Sequence, residues 1–329
     1  MPAPLAVALG DPAGIGPEIV AKSWERREAL GLPPFFAVGD CGALEAVWKG
    51  PMTAISDPGE AAECFRHALP VVRVGGGSGI NPGTPDLDGA RNALDALEIA
   101  VGLTRSGAAS GLVTGPVSKY QLHAIGFTHP GQTEFVAERC GVSSDMAAMM
   151  LVGPTLRTVP VTVHVALRDV PDVLTGERII AKARATIRGL QRQFGIEHPR
   201  IAVAGLNPHA GEDGTLGREE QEVIIPAIER LRSDGFDITG PFPADTMFHA
   251  RARARYDAAL CMYHDQALIP IKALHFDEGV NMTLGLPIVR TSPDHGTAFP
   301  IAGKGEADPG AMIAALRTAA ASAQRIAQA

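Results

Sequence analysis

Four cysteines, Cys41, Cys64, Cys140 and Cys261, are scattered through 329 residues and form no CxxC pair. That spacing encodes neither a zinc knuckle nor a dithiol redox centre, and a reduced, cytoplasmic setting is expected. A basic surplus is also lacking, since the formal net charge is -7. Phosphate backbones demand a basic surface, so nucleic acid is excluded as the main partner and any anion must be met by local lysines and arginines. No apolar run approaches the roughly 18 residues of a membrane span. The early LAVAL has no basic stretch before it and is cut off by Gly10 and Asp11, so a soluble chain with no membrane partner is expected. Two phosphate-cradling fingerprints are missing as well. LAVALGDPAGIGPEIV reads as strand, glycine turn and helix, with Pro17 suited to the first helical position, but Gly10, Gly14 and Gly16 do not have GxGxxG spacing. GLVTGPVSK contains Lys119 without forming GxxxxGK[ST]. A conventional Rossmann or Walker nucleotide site is therefore not expected.

What is present is a regular alternation of short Val-, Ile- and Ala-rich runs with longer helix-period segments, the signature of an α/β sheet with helices on its faces. Strands are predicted at 5–9, 35–38, 111–114, 149–152, 158–165, 201–206 and 258–263, and the clearest helices at 87–105, 176–194, 217–232 and 309–327. The length suits about two domains. The Pro/Gly-rich segment 75–86 reads equally well as a hinge or as a surface loop, and there is no internal repeat or low-complexity tract.

Three histidines stand where a strand-like run gives way to polar residues: His164 in VTVHVALRD, His209 in IAVAGLNPHAGEDG and His264 in AALCMYHDQ. Ligands collect beyond the carboxyl ends of strands in α/β sheets, so three imidazoles so placed can converge on one divalent metal ion. Three neutral imidazoles leave coordination positions open, which implies chemistry rather than scaffolding. A single such histidine is more often a hydrogen-bonded structural residue, and His67, His123, His129, His198, His249 and His275 have no partner pattern.

The segment 264–304 adds Lys272, Asn281 and Arg290 in sequence too glycine-rich for one helix. A point charge, a neutral donor and a two-pronged fork together suit phosphate or carboxylate. Asp245 and Asp265 read as metal ligands, proton acceptors or carboxylates that orient a ligand, with helix capping the equal alternative. A three-histidine metal hydrolase and a metabolite-binding regulatory protein are the rival readings of such a site.

Taken together, GDPAGIGPE, TGPVSK, HPGQTEF, VPVTVH, GLNPHAGEDG, YHDQALIPIK, GVNMTLGLPIVRTSPDHGTA and IAGKGEADP resemble the 4-hydroxythreonine-4-phosphate dehydrogenase family over residues 5 to 310. The resemblance implies NAD-dependent oxidation of 4-(phosphooxy)-L-threonine to a β-keto acid, which decarboxylates to 3-amino-2-oxopropyl phosphate in vitamin B6 biosynthesis. It implies His164, His209 and His264 as ligands of one divalent ion, zinc first and magnesium or cobalt after it. It implies Gln132, Thr133, Lys272, Asn281 and Arg290 as substrate contacts, while Asp245 and Lys272 are the candidates for proton transfer. GDPAGIGPE and DHGTAFPIAGKGEADP are more distantly similar to signatures of isocitrate and isopropylmalate dehydrogenases. That similarity implies that His295, Gly296, Thr297 and Ala298, with Asp308 in place of the usual Asn, hold the adenosine half of NAD.

The implied fold is of the isocitrate/isopropylmalate-dehydrogenase kind: two α/β/α domains with an active-site cleft between them, assembled as a homodimer with the site near the interface. Residues 1–125 with 292–329 would form the outer, NAD-side domain, and 126–291 the inner domain with the metal ligands and dimer interface. One position departs from the family: where most members have GHTE, this chain has Gly131, Gln132, Thr133 and Glu134. An amide cannot carry a proton near pH 7 as imidazole does, so another phosphorylated hydroxy acid or a cyclic diol is the alternative substrate.

Overall fold

The computed structural model describes residues 3–76, 79–143 and 145–328, so Gly77 and Ser78 of the 75–86 segment lie outside the described residues. The strands among them are β1 (Leu5–Ala8), β2 (Phe35–Gly39), β3 (Met52–Ala54), β4 (Leu69–Arg73), β5 (Leu112–Thr114), β6 (Ala148–Val152), β7 (Arg157–Pro160), β8 (Ile201–Ala204), β9 (Ile238–Phe242), β10 (Ala258–Cys261), β11 (Val280–Leu284) and β12 (Arg290–Pro293). The chain divides into two compact units, Met1–Gly141 with Leu286–Ala329, and Val142–Gly285. These limits fall at 141 and 285, where the sequence suggested 125 and 291. The reason is pairing: Arg290 lies in register with Leu112 of β5, and its side chain bonds residues of the first unit, so both Arg290 and the helix Gln132–Arg139 belong there.

In the first unit the strand order is β3-β4-β2-β1-β5-β12, and each recorded pairing is parallel. Both faces of such a sheet are covered, which is why LAVA, FFAVG and LVT are unbroken apolar runs, buried at every residue. The helix Leu87–Arg105 packs on β1 and β2 and starts where the Asp86 carboxylate accepts from Gly89 N at 2.7 Å. Strand order reverses around β1, with β2 on one side and β5 on the other, so the crevice beyond β1 and β5 is a topological switch point. Two glycines permit the approach there. Gly10, at φ +79, has no room for a Cβ, which would stand 2.3 Å from the Pro116 carbonyl oxygen, and a Cβ on Gly115 would stand 2.3 Å from that of Leu9.

In the second unit the order is β11-β6-β7-β10-β8-β9, antiparallel across β11, β6 and β7 and parallel from β7 onward. The helix Gly176–Phe194 runs between the Thr175 cap and left-handed Gly195, packing on β6 and β11. Because β7, β10 and β8 are adjacent and parallel, Pro160, Cys261 and Ala204 end side by side.

All seven predicted strands are present, but three of them end two or more residues before their predicted limit. Those beginning near 158, 201 and 258 stop at Pro160, Ala204 and Cys261, before the histidines that follow them. The helix predicted at 217–232 is a π turn, Glu220–Ile224, running into α-helix Ile225–Ser233. Strands β3, β4, β9, β11 and β12 were not foreseen, because MTA, LPVVR, ITGPF, VNMTL and RTSP mix prolines and polar residues into short runs.

Gly10→Ala is expected to lose about 3 kcal/mol or more of unfolding free energy, since it adds a backbone clash to an unfavourable φ. Gly31→Ala, also at positive φ (+58) but with nothing within 4 Å of its Cβ, should lose about 1 kcal/mol. Equal losses in urea titrations would remove the close approach of β1 and β5 as a constraint.

Candidate active site

The sheet of the second unit delivers the three histidines to the carboxyl ends of adjacent strands: His164 follows β7, His264 follows β10 and His209 follows β8. The His164 and His264 rings face each other with centroids 6.1 Å apart. His264 Nδ1 lies 2.7 Å from Asp265 Oδ1. An ionised carboxylate only accepts, so Nδ1 carries the proton and Nε2 keeps a lone pair, the state required of a metal-binding imidazole. Among the described residues no three His, Cys, Asp or Glu side chains come close enough to hold an ion, so the three predicted ligands share neighbouring strand ends but do not converge. Asp245 is exposed in the short turn Ala244–Thr246.

Two of the three histidines sit in left-handed backbone. His164 has φ +53, and His209 at φ +52 opens a run through Ala210, Gly211, Glu212 and Asp213 that stays left-handed throughout. Each such non-glycine residue costs roughly 1–2 kcal/mol and persists only where its surroundings over-determine it. Glu220 supplies that restraint from the π turn. Its buried carboxylate accepts from Asn207 N at 2.8 Å and Asn207 Nδ2 at 2.9 Å, and a Cβ on Gly211 would stand 2.5 Å from its Oε2.

The first unit holds a buried arginine among hydroxyl partners. Arg290 is 3 % exposed at the start of β12; its Nη2 donates to Thr114 Oγ1 at 2.8 Å and its Nη1 to Thr133 Oγ1 at 3.2 Å. Burial pulls its pKa down to about 10, against the upward influence of the Glu134 charge. Gln132 opens the helix Gln132–Arg139 and donates one amide hydrogen to the Gly115 carbonyl at 3.0 Å, leaving its second hydrogen and its Oε1. Lys272 and Asn281 are in the second unit: Lys272 on the helix His264–His275 with Nζ 5.5 Å from the Phe276 ring centre, and Asn281 on β11 with a buried Oδ1 that has no hydrogen-bond partner.

The residues predicted to hold NAD also lie in the first unit, against the N-terminal turn. Thr297 O accepts from Ile15 N at 3.0 Å, Ala298 is left-handed at φ +43, and exposed His295 bonds the Gly296 carbonyl at 3.1 Å. Asp308 accepts from Gly310 N at 2.7 Å, the helix-start role that competes with an adenine contact. Glu18, in GPE, explains why this loop and the glycine turn occur together. Its buried carboxylate accepts from Gly303 N at 3.2 Å and Ala307 N at 3.1 Å, and it pairs with Lys22 at 2.8 Å. Thr114, Glu220 and Glu18 were missed in the sequence because their roles depend on contacts distant in the chain.

Residues 34–319 match the family model described as pyridoxal phosphate biosynthetic protein PdxA. The chain is 60% identical over 320 residues to a 4-hydroxythreonine-4-phosphate dehydrogenase of Zymomonas mobilis subsp. mobilis, covering 97% of this chain and 96% of that protein. Among solved structures, a 4-hydroxythreonine-4-phosphate dehydrogenase from Klebsiella pneumoniae is 36% identical with a TM-score of 0.87, covering 98% of this chain and 100% of that one. A terephthalate 1,2-cis-dihydrodiol dehydrogenase from Burkholderia xenovorans is 28% identical with a TM-score of 0.67, covering 96% and 97%. The expected α/β fold is met by this agreement of folds.

Asp11, beyond β1, also escaped notice as a site residue. It is 2 % exposed, and its Oδ1 accepts from Ala13 N at 3.0 Å. Burial pushes its carboxyl above the usual range and the Asp86 charge adds to this, while the N–H groups of Ala13 and Ser118 pull it down. A raised folded-state pKa means that the folded protein holds the proton more tightly, so this group's contribution to stability is lost as pH rises through that pKa. Asp11→Asn keeps the acceptor without the charge. Its stability relative to wild type should climb as pH rises from about 3.5 and level off above the folded pKa. A flat difference in urea unfolding between pH 3.5 and 7 would contradict the shift.

Proposed function

The chain belongs to the family of the pyridoxal phosphate biosynthetic protein PdxA and is a dehydrogenase of vitamin B6 biosynthesis; on that premise we propose how its residues divide the oxidation of 4-(phosphooxy)-L-threonine. This membership sets aside the hydrolase and regulatory-protein readings. The observation that carries the proposal is the row of His164, His264 and His209 on three adjacent parallel strand ends. Neutral imidazoles suit a divalent ion of zinc type, and the His264–Asp265 bond fixes one of them in the binding tautomer. The working unit in this reading is a homodimer whose second copy lies near the site. Exposed Ile269 and Phe276, on and just after the helix that begins at His264, offer apolar surface for such an interface.

When bound, the divalent ion supplies Lewis acidity toward the substrate oxygens, and NAD supplies the acceptor for the hydride. Arg290, positioned by Thr114 and Thr133, binds the phosphate as a two-pronged donor, with Lys272 and Asn281 contacting the remaining polar groups of the substrate. Asp245 or Lys272 takes the hydroxyl proton, and one is returned after carbon dioxide leaves. His295, Gly296, Thr297, Ala298 and Asp308 hold the adenosine side of NAD.

Mixing the protein, NAD and 4-(phosphooxy)-L-threonine should raise absorbance at about 340 nm, with near-stoichiometric divalent metal in the same sample. His164→Ala should lose both the metal and the turnover. Retention of both would overturn the triad, whereas absence of turnover in metal-loaded wild type would overturn the substrate.

Gln132 favours a second reading, a different hydroxy acid or diol, because it replaces an imidazole and already spends one amide hydrogen on Gly115 O. If the threonine phosphate is the substrate, Gln132→His should change kcat/KM by only a few-fold. A gain above roughly tenfold, about 1.4 kcal/mol of transition-state binding, would shift the assignment to another substrate.

A further inference from the structure

The ladder between β8 and β10 ends at Val203 and Leu260, and beyond it the strands diverge toward His209 and His264. A side chain takes over where backbone pairing stops. Gln266, 8 % exposed, accepts at Oε1 from Met262 N at 2.7 Å and donates from Nε2 to Gly205 O at 2.7 Å. On the other flank of β10, Thr162 Oγ1 donates to Met262 O at 2.8 Å. Three backbone points are thereby tied together: Thr162 two residues before His164, Met262 two before His264, and Gly205 four before His209. Both hydrogen bonds of Gln266 go to backbone atoms and neither to an imidazole, so its influence on an ion passes through the backbone.

We propose that Gln266, aided by Thr162, is a positioning residue that sets the spacing of the three histidine-bearing strand ends and hence their affinity for a divalent ion. The inference rests on reading His164, His209 and His264 as ligands. A rung made by a side chain is suited to this place. It lets β8 and β10 separate while the Met262 N–H and the Gly205 carbonyl keep partners, and its length fixes the gap. Glutamine does this with one donor and one acceptor on a planar head, matching one carbonyl and one N–H.

The test uses full-length protein stripped of metal and titrated with Co2+ alone, read by its visible absorption bands. Partners that orient a ligand typically change metal affinity 10–100-fold, so Gln266→Met, which keeps the volume and loses both bonds, should weaken Co2+ binding by roughly that factor and shift the bands. Thr162→Val should weaken it in the same direction. Thr186→Val removes a buried hydroxyl bond to Lys182 O, 2.7 Å long, within the helix Gly176–Phe194 of the same unit, and should leave both affinity and bands as in wild type. Wild-type affinity and spectrum in Gln266→Met would overturn the proposal, as would an equal loss in Thr186→Val, which would reduce the effect to general destabilisation. If Gln266→Met does not fold, Thr162→Val decides on the same terms. Wild type that binds no Co2+ would overturn the ligand reading and this proposal with it, a result distinct from tight binding that is indifferent to Gln266.

Discussion

A parallel sheet must stop sharing hydrogen bonds somewhere, and every buried N–H and carbonyl beyond that point still needs a partner. In this protein the chemistry-bearing residues lie on that margin. Each unit meets the requirement with its own device. In the first, glycines at 10 and 115 let β1 and β5 turn so closely that backbone bonds backbone, Asp11 N to Pro116 O at 2.9 Å and Gly115 N to Ala8 O at 2.7 Å. In the second, side chains substitute for the ladder: Gln266 between Met262 and Gly205, and Glu220 under Asn207. The crevice that a ligand needs and the rigidity that a catalytic group needs thus come from the same buried bonds.

Strain is concentrated in the same place. Left-handed His164 and the run from His209 to Asp213 are unfavourable locally, at roughly 1–2 kcal/mol for each non-glycine residue. A relaxed loop would be more stable, so the conformation must be imposed, and at the run from His209 to Asp213 the imposing group is the Glu220 carboxylate, at 2 % exposure, whose two oxygens are both engaged by Asn207. Gly205 and Gly211 are required by the same packing. A Cβ on Gly205 would stand 2.9 Å from Ala210 Cα, so the backbone of this turn and the end of β8 are pressed together with no side chain between them.

Those facts mark what the sequence could and could not reveal. The long helices were legible to the residue, 87–105 and 176–194, because their periodicity is bounded by Asp86, Thr175 and Gly195, whose capping chemistry is local. Strand interiors were legible for a similar reason, since burial on both faces leaves an apolar run. Strand ends were overestimated at His164, His209 and His264, because an apolar residue just past the ladder looks the same as one inside it. The five unforeseen strands carry prolines, threonines or a buried arginine, and their pairing depends on neighbours far away in the chain. Arg290 shows the cost of this: read as a residue of the inner domain, it belongs by register and hydrogen bonding to the first unit. The placement of the three histidines just past strand ends was legible, whereas the contacts of Gln266, Glu220 and Thr114 were not, because a buried amide, acid or hydroxyl announces itself only through its partners.

Arg290 also bears on what the first unit can bind. Its guanidinium is enclosed, and two of its partners, Thr114 and Thr133, are hydroxyls, each of which accepts one of its hydrogens without supplying counter-charge. Burial therefore disfavours the charged form, in keeping with a pKa pulled down to about 10, yet at neutral pH the group remains protonated. Glu134 offsets part of this from nearby. A ligand bearing a dianionic phosphate would supply more: its oxygens match the fork, and its charge is of the sign that the enclosed cation lacks water to balance. A neutral ligand would have to displace whatever solvent reaches the fork without returning any charge, so binding would be opposed by the same desolvation that makes an anion welcome. The buried charge at the first residue of β12 therefore suits an anion better than it suits a neutral group.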